Sequence, residues 1–273
     1  MEEITAEYAS QTLIAPPELK VRTKVSIGAK TDLGRVRENN EDKFEYYIPE
    51  DDGMLALRGM AFVVCDGMGG HAAGQIASEL STKTFLDVYF NHPGDSTPSA
   101  LLSGIKAANR YVLDVANAVP SRRGMGTTLS ALIFLQDQAW VAHVGDSRIY
   151  RLRGNELAQI THDHTWVDEA IRMGQITPEE GETHKYRHVL TRAIGTEDAV
   201  APDIFSFDLA EGDRFLLCSD GLINHVDDPE IAETLASFGP SEAAWKLVNS
   251  ALVGGGSDNC TVMVVRVDAI SPA

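Results

Sequence analysis

Four aspartates in this chain stand where apolar segments end or begin, a placement that suits metal chemistry. They are Asp66, Asp146, Asp220 and Asp258. The first three follow apolar runs and have a glycine beside them, and the fourth precedes such a run. In antiparallel neighbours the end of one strand lies beside the start of the next. We therefore expect the four carboxylates to gather along one edge of a sheet.

An acid-lined edge of this kind is suited to divalent cations. Ionised carboxylates at close range raise one another's pKa, and a bound cation relieves that repulsion. Ligand sets made only of oxygen select hard ions such as Mg2+ or Mn2+. Asp66 has one oxygen for each of two ions, and Gly67 leaves its backbone carbonyl free to approach a ligand. Asp220 and Asp258 would complete the shell of one ion, whereas Asp146 would join them or hold a further ion.

Each of these signals has an ordinary structural alternative. Taken singly, an Asp-Gly pair favours a turn, so the metal interpretation depends on the repeated placement at strand ends. Arg37 offers a planar fork that matches phosphate oxygens, although most arginines are solvated surface residues. Glu41 and Asp42 either bind a metal directly, orient its waters or form an acidic turn. His71, after the glycine turn, is equally a candidate general acid and a capping residue.

Composition and missing motifs exclude several other functions. The chain has 273 residues, 44% hydrophobic and 23% charged, as is usual for a soluble globular protein. Its net charge of -17 disfavours nucleic acid and anionic membranes as partners. No Gly-x-Ser-x-Gly, Cys-x5-Arg, Walker or Rossmann pattern supports a covalent nucleophile or a bound nucleotide. The N-terminal sequence lacks signal-peptide features and the three cysteines fall in apolar runs, so we expect reduced thiols and a cytoplasmic protein.

The elements that must position these residues are mostly strands. We expect a flexible tail at 1–20 and one domain at 21–268, which contains an insertion at 162–188. Strands are predicted at 21–30, 44–48, 61–65, 127–135, 139–144, 148–152, 156–160, 204–209, 214–218 and 260–267, with a surface loop at 50–57. Helices are predicted at 71–90, after Ser99, at 228–237 and at 241–253, with short ones in the insertion. Short links between 127 and 160 indicate an antiparallel meander. The pattern predicts an α+β fold in which helix pairs cover two facing sheets.

Seven motifs, occurring in a fixed order, give the chain a family resemblance. They are Arg37-Glu-Asn-Asn-Glu-Asp42, Cys65-Asp-Gly-Met-Gly-Gly-His71, Gly124-Met-Gly-Thr-Thr128, Val144-Gly-Asp-Ser-Arg148, Leu190-Thr-Arg-Ala-Ile-Gly195, Cys218-Ser-Asp-Gly-Leu222 and Ser257-Asp-Asn-Cys-Thr261. The ordered series is far more specific than any one of its members. The chain resembles the metal-dependent protein serine/threonine phosphatases of type 2C, the PPM family, in their bacterial form.

The resemblance implies an antiparallel β-sandwich flanked by helix pairs, with a binuclear Mn2+ or Mg2+ centre at one end. Asp66 matches the bridging ligand, Gly67 a carbonyl ligand, and Asp220 and Asp258 the remaining carboxylates. Asp146 matches the residue that holds a third ion in bacterial relatives.

The resemblance also assigns residues around the metals. Arg37 matches the arginine that binds the substrate phosphate, Asp42 matches the acid close to the metal-bound waters, and residues 162–188 match the flap that borders the active site. The chain departs from the family in two places. Met68 stands where animal members have a histidine that is proposed there as general acid. The segment at 184–190 departs from His-Pro-x-Arg-Asn-x-Leu, with His188 in place of asparagine.

These features predict a metal-dependent phosphatase in signalling, which hydrolyses phosphoserine and phosphothreonine on proteins through a water activated by two metal ions. By the same resemblance we expect a monomer that opposes bacterial Ser/Thr kinases and acts on their forkhead-associated-domain partners. The alternatives are a pseudophosphatase that binds phosphoproteins or kinases, and a phosphatase of small metabolites. All the proposed ligand positions retain their acids, which disfavours the pseudophosphatase.

Overall fold

The computed structural model describes residues 17–69 and 72–273. Most of the predicted tail, residues 1–16, lies outside the described residues, and so does His71. Residues 17–20 carry no helix or strand. None of the helices in the described ranges is both long and apolar enough to cross a membrane.

The described residues form strands and helices in the order that the sequence predicts, with additions. In chain order they are β1 Val21–Asp32, β2 Lys43–Tyr47, α1 Asp52–Arg58, β3 Met60–Cys65, β4 Gly67–Met68, α2 Ala72–Phe90, α3 Thr97–Ala118, β5 Gly126–Thr127, β6 Leu129–Leu135, β7 Gln138–Val144, β8 Arg148–Arg153, β9 Glu156–Gln159, α4 Trp166–Arg172, α5 Pro178–Glu182, β10 Asp203–Asp208, β11 Arg214–Cys218, α6 Asp220–Ile223, α7 Asp228–Ser237, α8 Pro240–Val253 and β12 Cys260–Pro272. A short 3-10 helix, Pro120–Arg122, precedes β5.

Two five-stranded sheets face each other. One has the order β1-β12-β11-β8-β9 and the other the order β10-β7-β6-β3-β2, and a small ladder joins β4 to β5. The paired strands are antiparallel. The inner faces enclose a core in which the Phe134 ring lies 5.2 Å from the rings of both Phe62 and Phe215. Because Phe134 and Phe62 belong to one sheet and Phe215 to the other, the contact between Phe134 and Phe215 joins the two sheets.

Helices cover the outer face of each sheet. Helices α2 and α3 pack on β3, β6 and β7, and helices α7 and α8 pack on β8, β11 and β12. Buried residues recur along α3 at intervals of three and four, at Leu101, Ile105, Ala108 and Val112, which gives it one apolar face. The predicted α+β fold with helix pairs outside two sheets is confirmed.

Three sequence predictions about elements are wrong. Residues 50–57 are not a surface loop, because Asp51 caps α1 by accepting a hydrogen bond from the Met54 amide, and Leu55 is buried. Residues 127–160 are not one meander, because β7 belongs to one sheet and β8 to the other. The final strand also runs on to Pro272, beyond the expected end at Val267, because it pairs with β1 back to Val21.

Candidate metal centre

The four aspartates reach one cavity from four different places in the fold. Asp66 follows β3, Asp146 lies between β7 and β8, Asp220 begins α6, and Asp258 precedes β12. All four line a cavity of about 1240 Å3, together with Gly67 and other residues. The expectation of a single sheet edge is wrong, since Asp66 follows a strand of one sheet and Asp220 follows a strand of the other. The cavity therefore lies at the end of the sandwich, where both sheets open.

Backbone hydrogen bonds fix the position of Asp66. Its amide donates to Thr128 Oγ1 at 2.8 Å, and its carbonyl accepts from the Thr128 amide and from Thr127 Oγ1, each at 2.8 Å. At Gly67 a Cβ atom would lie 2.1 Å from the Gly74 carbonyl oxygen. Only glycine fits there, because helix α2 passes so close to the turn.

The turn that carries Asp146 is the point where the chain crosses between the sheets. Gly145 has a φ of +110°, and a Cβ there would lie 2.5 Å from a Thr128 side-chain carbon. A glycine is therefore required to make the turn, and the turn directs the following carboxylate into the cavity.

The carboxylates oppose one another's ionisation. Burial raises the pKa of Asp66 well above its ordinary value, and the charges of Asp42, Asp220 and Asp146 add to the rise. Burial and then the charge of Asp220 raise the pKa of Asp146 to about 8. The pKa of Asp220 is also raised, first by burial and then by Asp258. A divalent cation would remove this repulsion, so the donor set fits Mg2+ or Mn2+.

Asp42 lies directly behind the cavity wall and is almost completely buried. Its Oδ2 accepts a hydrogen bond of 2.6 Å from Ser219 Oγ, whereas its Oδ1 has no partner among the described residues. Burial raises the pKa of this carboxyl group to about 7. An unpartnered buried oxygen beside an acid cluster fits a site completed by bound ions and their waters. Within 17–69 and 72–273, however, no three acidic, histidine or cysteine side chains already form a complete ion-binding arrangement.

Arg37 is bonded to one of the predicted ligands. Its Nη2 donates to Asp258 Oδ2 at 2.6 Å, and half of its side chain is exposed. This hydrogen bond raises the pKa of Arg37. Glu41 lines the same cavity. The structure thus places Arg37 and Glu41 beside the acids, and part of the Arg37 side chain is exposed to solvent.

Sequence reasoning missed Asn259, which joins the loop that carries Arg37 to the loop that carries Asp258. Its Oδ1 accepts from the Glu41 amide at 2.8 Å, and its Nδ2 donates to the carbonyls of Leu33 and Asn39, each at 2.9 Å. The side chain is buried, as a fully bonded amide can be. The only local signal for it was its place directly after Asp258.

A buried histidine, His164, ties the Asp146 turn to the far wall of the cavity. The Gly145 amide donates to its Nδ1 at 3.1 Å, so Nε2 carries the proton and donates to Asp203 Oδ2 at 3.2 Å. Asp203 Oδ1 in turn accepts from Arg192, a residue of the cavity wall, at 3.0 Å. Burial lowers the pKa of His164, which favours the neutral ring that this pattern requires.

The neighbouring ring of His143 lies 4.7 Å away and has a structural role. It is buried with partners at both ring nitrogens, Ser130 Oγ and the His162 carbonyl. Burial lowers its pKa to about 3. The three cysteines are free and buried, as predicted.

Comparison with known proteins identifies similar chains. Residues 35–250 match the family model described as "Protein phosphatase 2C". The serine/threonine protein phosphatase PstP of Mycobacterium tuberculosis is 39% identical over 248 residues, which are 91% of this chain and 46% of that protein. The chain thus spans about half the length of its mycobacterial relative. The serine/threonine phosphatase stp of Listeria monocytogenes is 37% identical over 244 residues, which are 88% of this chain and 94% of the relative.

Solved structures share the fold. The catalytic domain of serine threonine protein phosphatase PstP, described as a complex with 2 manganese ions, is 38% identical with a TM-score of 0.78. That alignment covers 91% of this chain and 100% of the solved one. The S. agalactiae serine/threonine phosphatase is 32% identical with a TM-score of 0.82, over 89% of this chain and 100% of the other.

Proposed function

Because this chain belongs to the protein phosphatase 2C family, we propose that it is a protein phosphatase that hydrolyses phosphoserine and phosphothreonine monoesters. The observation that carries the proposal is the convergence of Asp66, Asp220 and Asp258 on one cavity, with Arg37 beside them. Buried acids that raise one another's pKa destabilise the folded protein, and such groups are typical of functional sites. The function that fits their chemistry best is to bind divalent cations next to a phosphate ester.

We assign the ions to the residues that the sequence singled out. Asp66, the Gly67 carbonyl, Asp220 and Asp258 would hold two Mn2+ or Mg2+ ions, and Asp146 would hold a further ion. When bound, such ions lower the pKa of a coordinated water and neutralise charge on phosphate oxygens. The manganese complex of the PstP catalytic domain supports this choice of metal.

Arg37 binds the phosphate of the substrate. Its guanidinium presents parallel N–H groups that match two phosphate oxygens. The contact with Asp258 Oδ2 holds the side chain at the cavity and shields part of its charge. When a phosphate ester binds, the guanidinium N–H groups that Asp258 does not occupy donate hydrogen bonds to it. The positive charge that binds the phosphate is therefore already present at the site.

Asp42 takes part in proton transfer. Its unpartnered Oδ1 is an acceptor for a water of the site, and Ser219 fixes the other oxygen. Since its pKa is raised to about 7, the group can exchange a proton near neutral pH. This gives Asp42 the role of orienting the attacking water and accepting its proton.

We further propose that the protein acts in the cytoplasm, as a monomer that opposes Ser/Thr kinases and acts on their forkhead-associated-domain partners. Buried free thiols are compatible with a reducing compartment. The kinase and its substrates follow from the family resemblance, and a phosphoproteomic comparison of cells with and without the protein would identify them.

The test is a metal-titrated phosphatase assay on a phosphothreonine peptide. We expect turnover that requires Mn2+ or Mg2+, stops in excess chelator, and is lost in Asp66→Ala and in Asp220→Ala. Asp114→Ala is the matched control, because Asp114 is exposed on α3 and pairs there with Arg110, four residues before it. Turnover that survives in excess chelator, or in a folded Asp66→Ala protein, would contradict the proposal. Peptide binding without turnover would indicate the pseudophosphatase instead.

A further inference from the structure

Residues 184–189, here called the flap turn, place an arginine and a histidine at the cavity of an acidic protein. The turn follows α5 and precedes Leu190, which pairs with Thr165 at the base of the flap. Arg187 and His188 are exposed and line the same cavity as the four aspartates. The positive charge of Arg187 contrasts with the net charge of -17 of the whole chain.

Arg187 differs from the other arginines of the cavity in having no acidic partner. Arg37 pairs with Asp258 at 2.6 Å, Arg148 with Asp163 at 2.8 Å, and Arg192 with Asp203 at 3.0 Å. Within residues 17–69 and 72–273, no carboxylate or other acceptor contacts the Arg187 guanidinium. Its five donors are therefore available to a molecule that enters the cavity, which Arg187 lines.

Aromatic packing holds the flap turn in place. The Trp166 ring of α4 stacks on His184, with centroids 4.6 Å apart and planes 13° apart, and Tyr186 meets Trp166 edge-on at 5.5 Å. The Trp166 amide donates to the Val189 carbonyl at 2.9 Å. Two further backbone bonds close the turn, Arg187 to His184 at 3.1 Å and Val189 to Tyr186 at 3.0 Å. A ligand that binds here does not have to order the backbone first, which favours binding.

His188, the next residue along the chain after Arg187, lines the same cavity as Asp220. No ring nitrogen of His188 has a hydrogen-bond partner in the part of the chain that the structure describes. The candidate subsite therefore consists of the Arg187 guanidinium and the His188 ring, in the cavity that the four aspartates also line.

We propose that Arg187 and His188 bind a second anionic group of the substrate, a carboxylate or phosphate on a residue that flanks the phosphorylated serine or threonine. The proposal rests on the proposed function, since the first anionic group is the phosphate that is hydrolysed. Two acids, Glu182 and Glu197, also line the cavity, so recognition depends on direct hydrogen bonds from Arg187 rather than on a general positive field. The enzyme thus selects phosphorylated residues in acidic or multiply phosphorylated sequences.

The experiment compares three phosphothreonine peptides that are identical except for one flanking residue, which is glutamate, glutamine or phosphoserine in a phosphonate form that cannot be hydrolysed. For the unaltered protein we expect kcat/KM to be roughly five-fold higher with glutamate than with glutamine, the size of a favourable partly exposed ion pair. A larger gain with phosphoserine would identify phosphate as the preferred second group, and a larger gain with glutamate would identify carboxylate.

Variants of the flap turn test which residues produce the difference in kcat/KM between the peptides. In Arg187→Gln the ratio between the glutamate and glutamine peptides should fall to about one, and in His188→Asn it should fall part of the way. Lys185→Gln is the matched control, because Lys185 lies on the same turn but its ammonium sits over the Tyr186 ring and does not line the cavity. That variant should keep the full ratio.

The outcomes separate this proposal from the function on which it rests. If the unaltered protein hydrolyses all three peptides at the same rate, the subsite is wrong and the phosphatase function stands. A ratio that persists in Arg187→Gln would also overturn the subsite. If no peptide is hydrolysed in the presence of Mn2+, the proposed function fails and the subsite fails with it.

Discussion

Replacing Asp42 by asparagine should make the metal-free protein harder to unfold at pH 8, although Asp42 is proposed to serve catalysis. The carboxyl group is almost fully buried, and burial followed by the charges of Asp220 and Asp258 raises its pKa. An ionised Asp42 therefore destabilises the folded state. Asparagine has the same shape and can still accept from Ser219, and its amide can donate to the neighbouring carboxylates.

The size of the effect follows from the linkage between protonation and folding. The pKa of Asp42 rises from an ordinary value of 3.8 to about 7 in the folded protein. Each pKa unit corresponds to about 1.4 kcal/mol, so the ionised group costs on the order of 4 kcal/mol at pH 8. Because the folded-state pKa is raised, the stability that Asp42 contributes is present below about pH 4 and is lost as the pH rises toward 7. At pH 5 the gain in Asp42→Asn should be less than half of its value at pH 8.

The assay is urea unfolding in the presence of chelator, followed by far-ultraviolet circular dichroism at pH 8 and pH 5. The free energy of unfolding should rise in Asp42→Asn at pH 8 with an unchanged dependence on urea concentration. Glu211→Gln removes an exposed acid from a turn and should change stability by less than about 0.5 kcal/mol. The reasoning would be refuted if Asp42→Asn were no more stable than the original protein at pH 8, or if its advantage were equal at both pH values.

The remaining predictions concern positioning and packing. His164→Asn keeps an acceptor for the Gly145 amide, whereas His164→Gln keeps only the donor to Asp203. Calorimetric titration should therefore show weaker Mn2+ binding by His164→Gln than by His164→Asn. Equal binding by the two variants would contradict the assigned role. Phe134→Ala empties the space between the two sheets and should lower the free energy of unfolding by about 3–5 kcal/mol in urea. The control Tyr111→Ala, at an exposed position of α3, should change it by less than about 1 kcal/mol, and a similar loss in both variants would argue against a tightly packed inter-sheet core.

Most strands were predicted from the sequence because continuous apolar runs, or alternating apolar and polar residues, mark them clearly. β3 and β11 are short apolar runs that end beside an aspartate and a glycine, and they lie where they were expected. α1 was missed because Asp51-Asp52-Gly53 has the composition of a turn, and only burial of Leu55 shows that the segment packs as a helix. Local composition cannot show which surface a short segment will cover.

The crossing at Asp146 was missed for a similar reason. Apolar and polar residues alternate in the strands on either side of Asp146, and a short turn joins them, as in a hairpin. The same alternation occurs in a strand of either of two facing sheets, so it does not show which sheet the strand joins. Pairing with strands from distant parts of the chain decides the sheet: β8 pairs with β11, whereas β7 pairs with β10.

The sequence by itself determined the chemical identity of the candidate site, because acidic residues beside glycine at strand ends are visible in the order of residues. Only the tertiary structure decided how these residues meet. It placed Asp66 and Asp220 on different sheets at one cavity, buried Asp42 behind them, and brought His164 and Asn259 to hold the turns in position. The physical reason is that pKa shifts and hydrogen bonds depend on distances between residues far apart in the chain, and packing of the two sheets sets those distances.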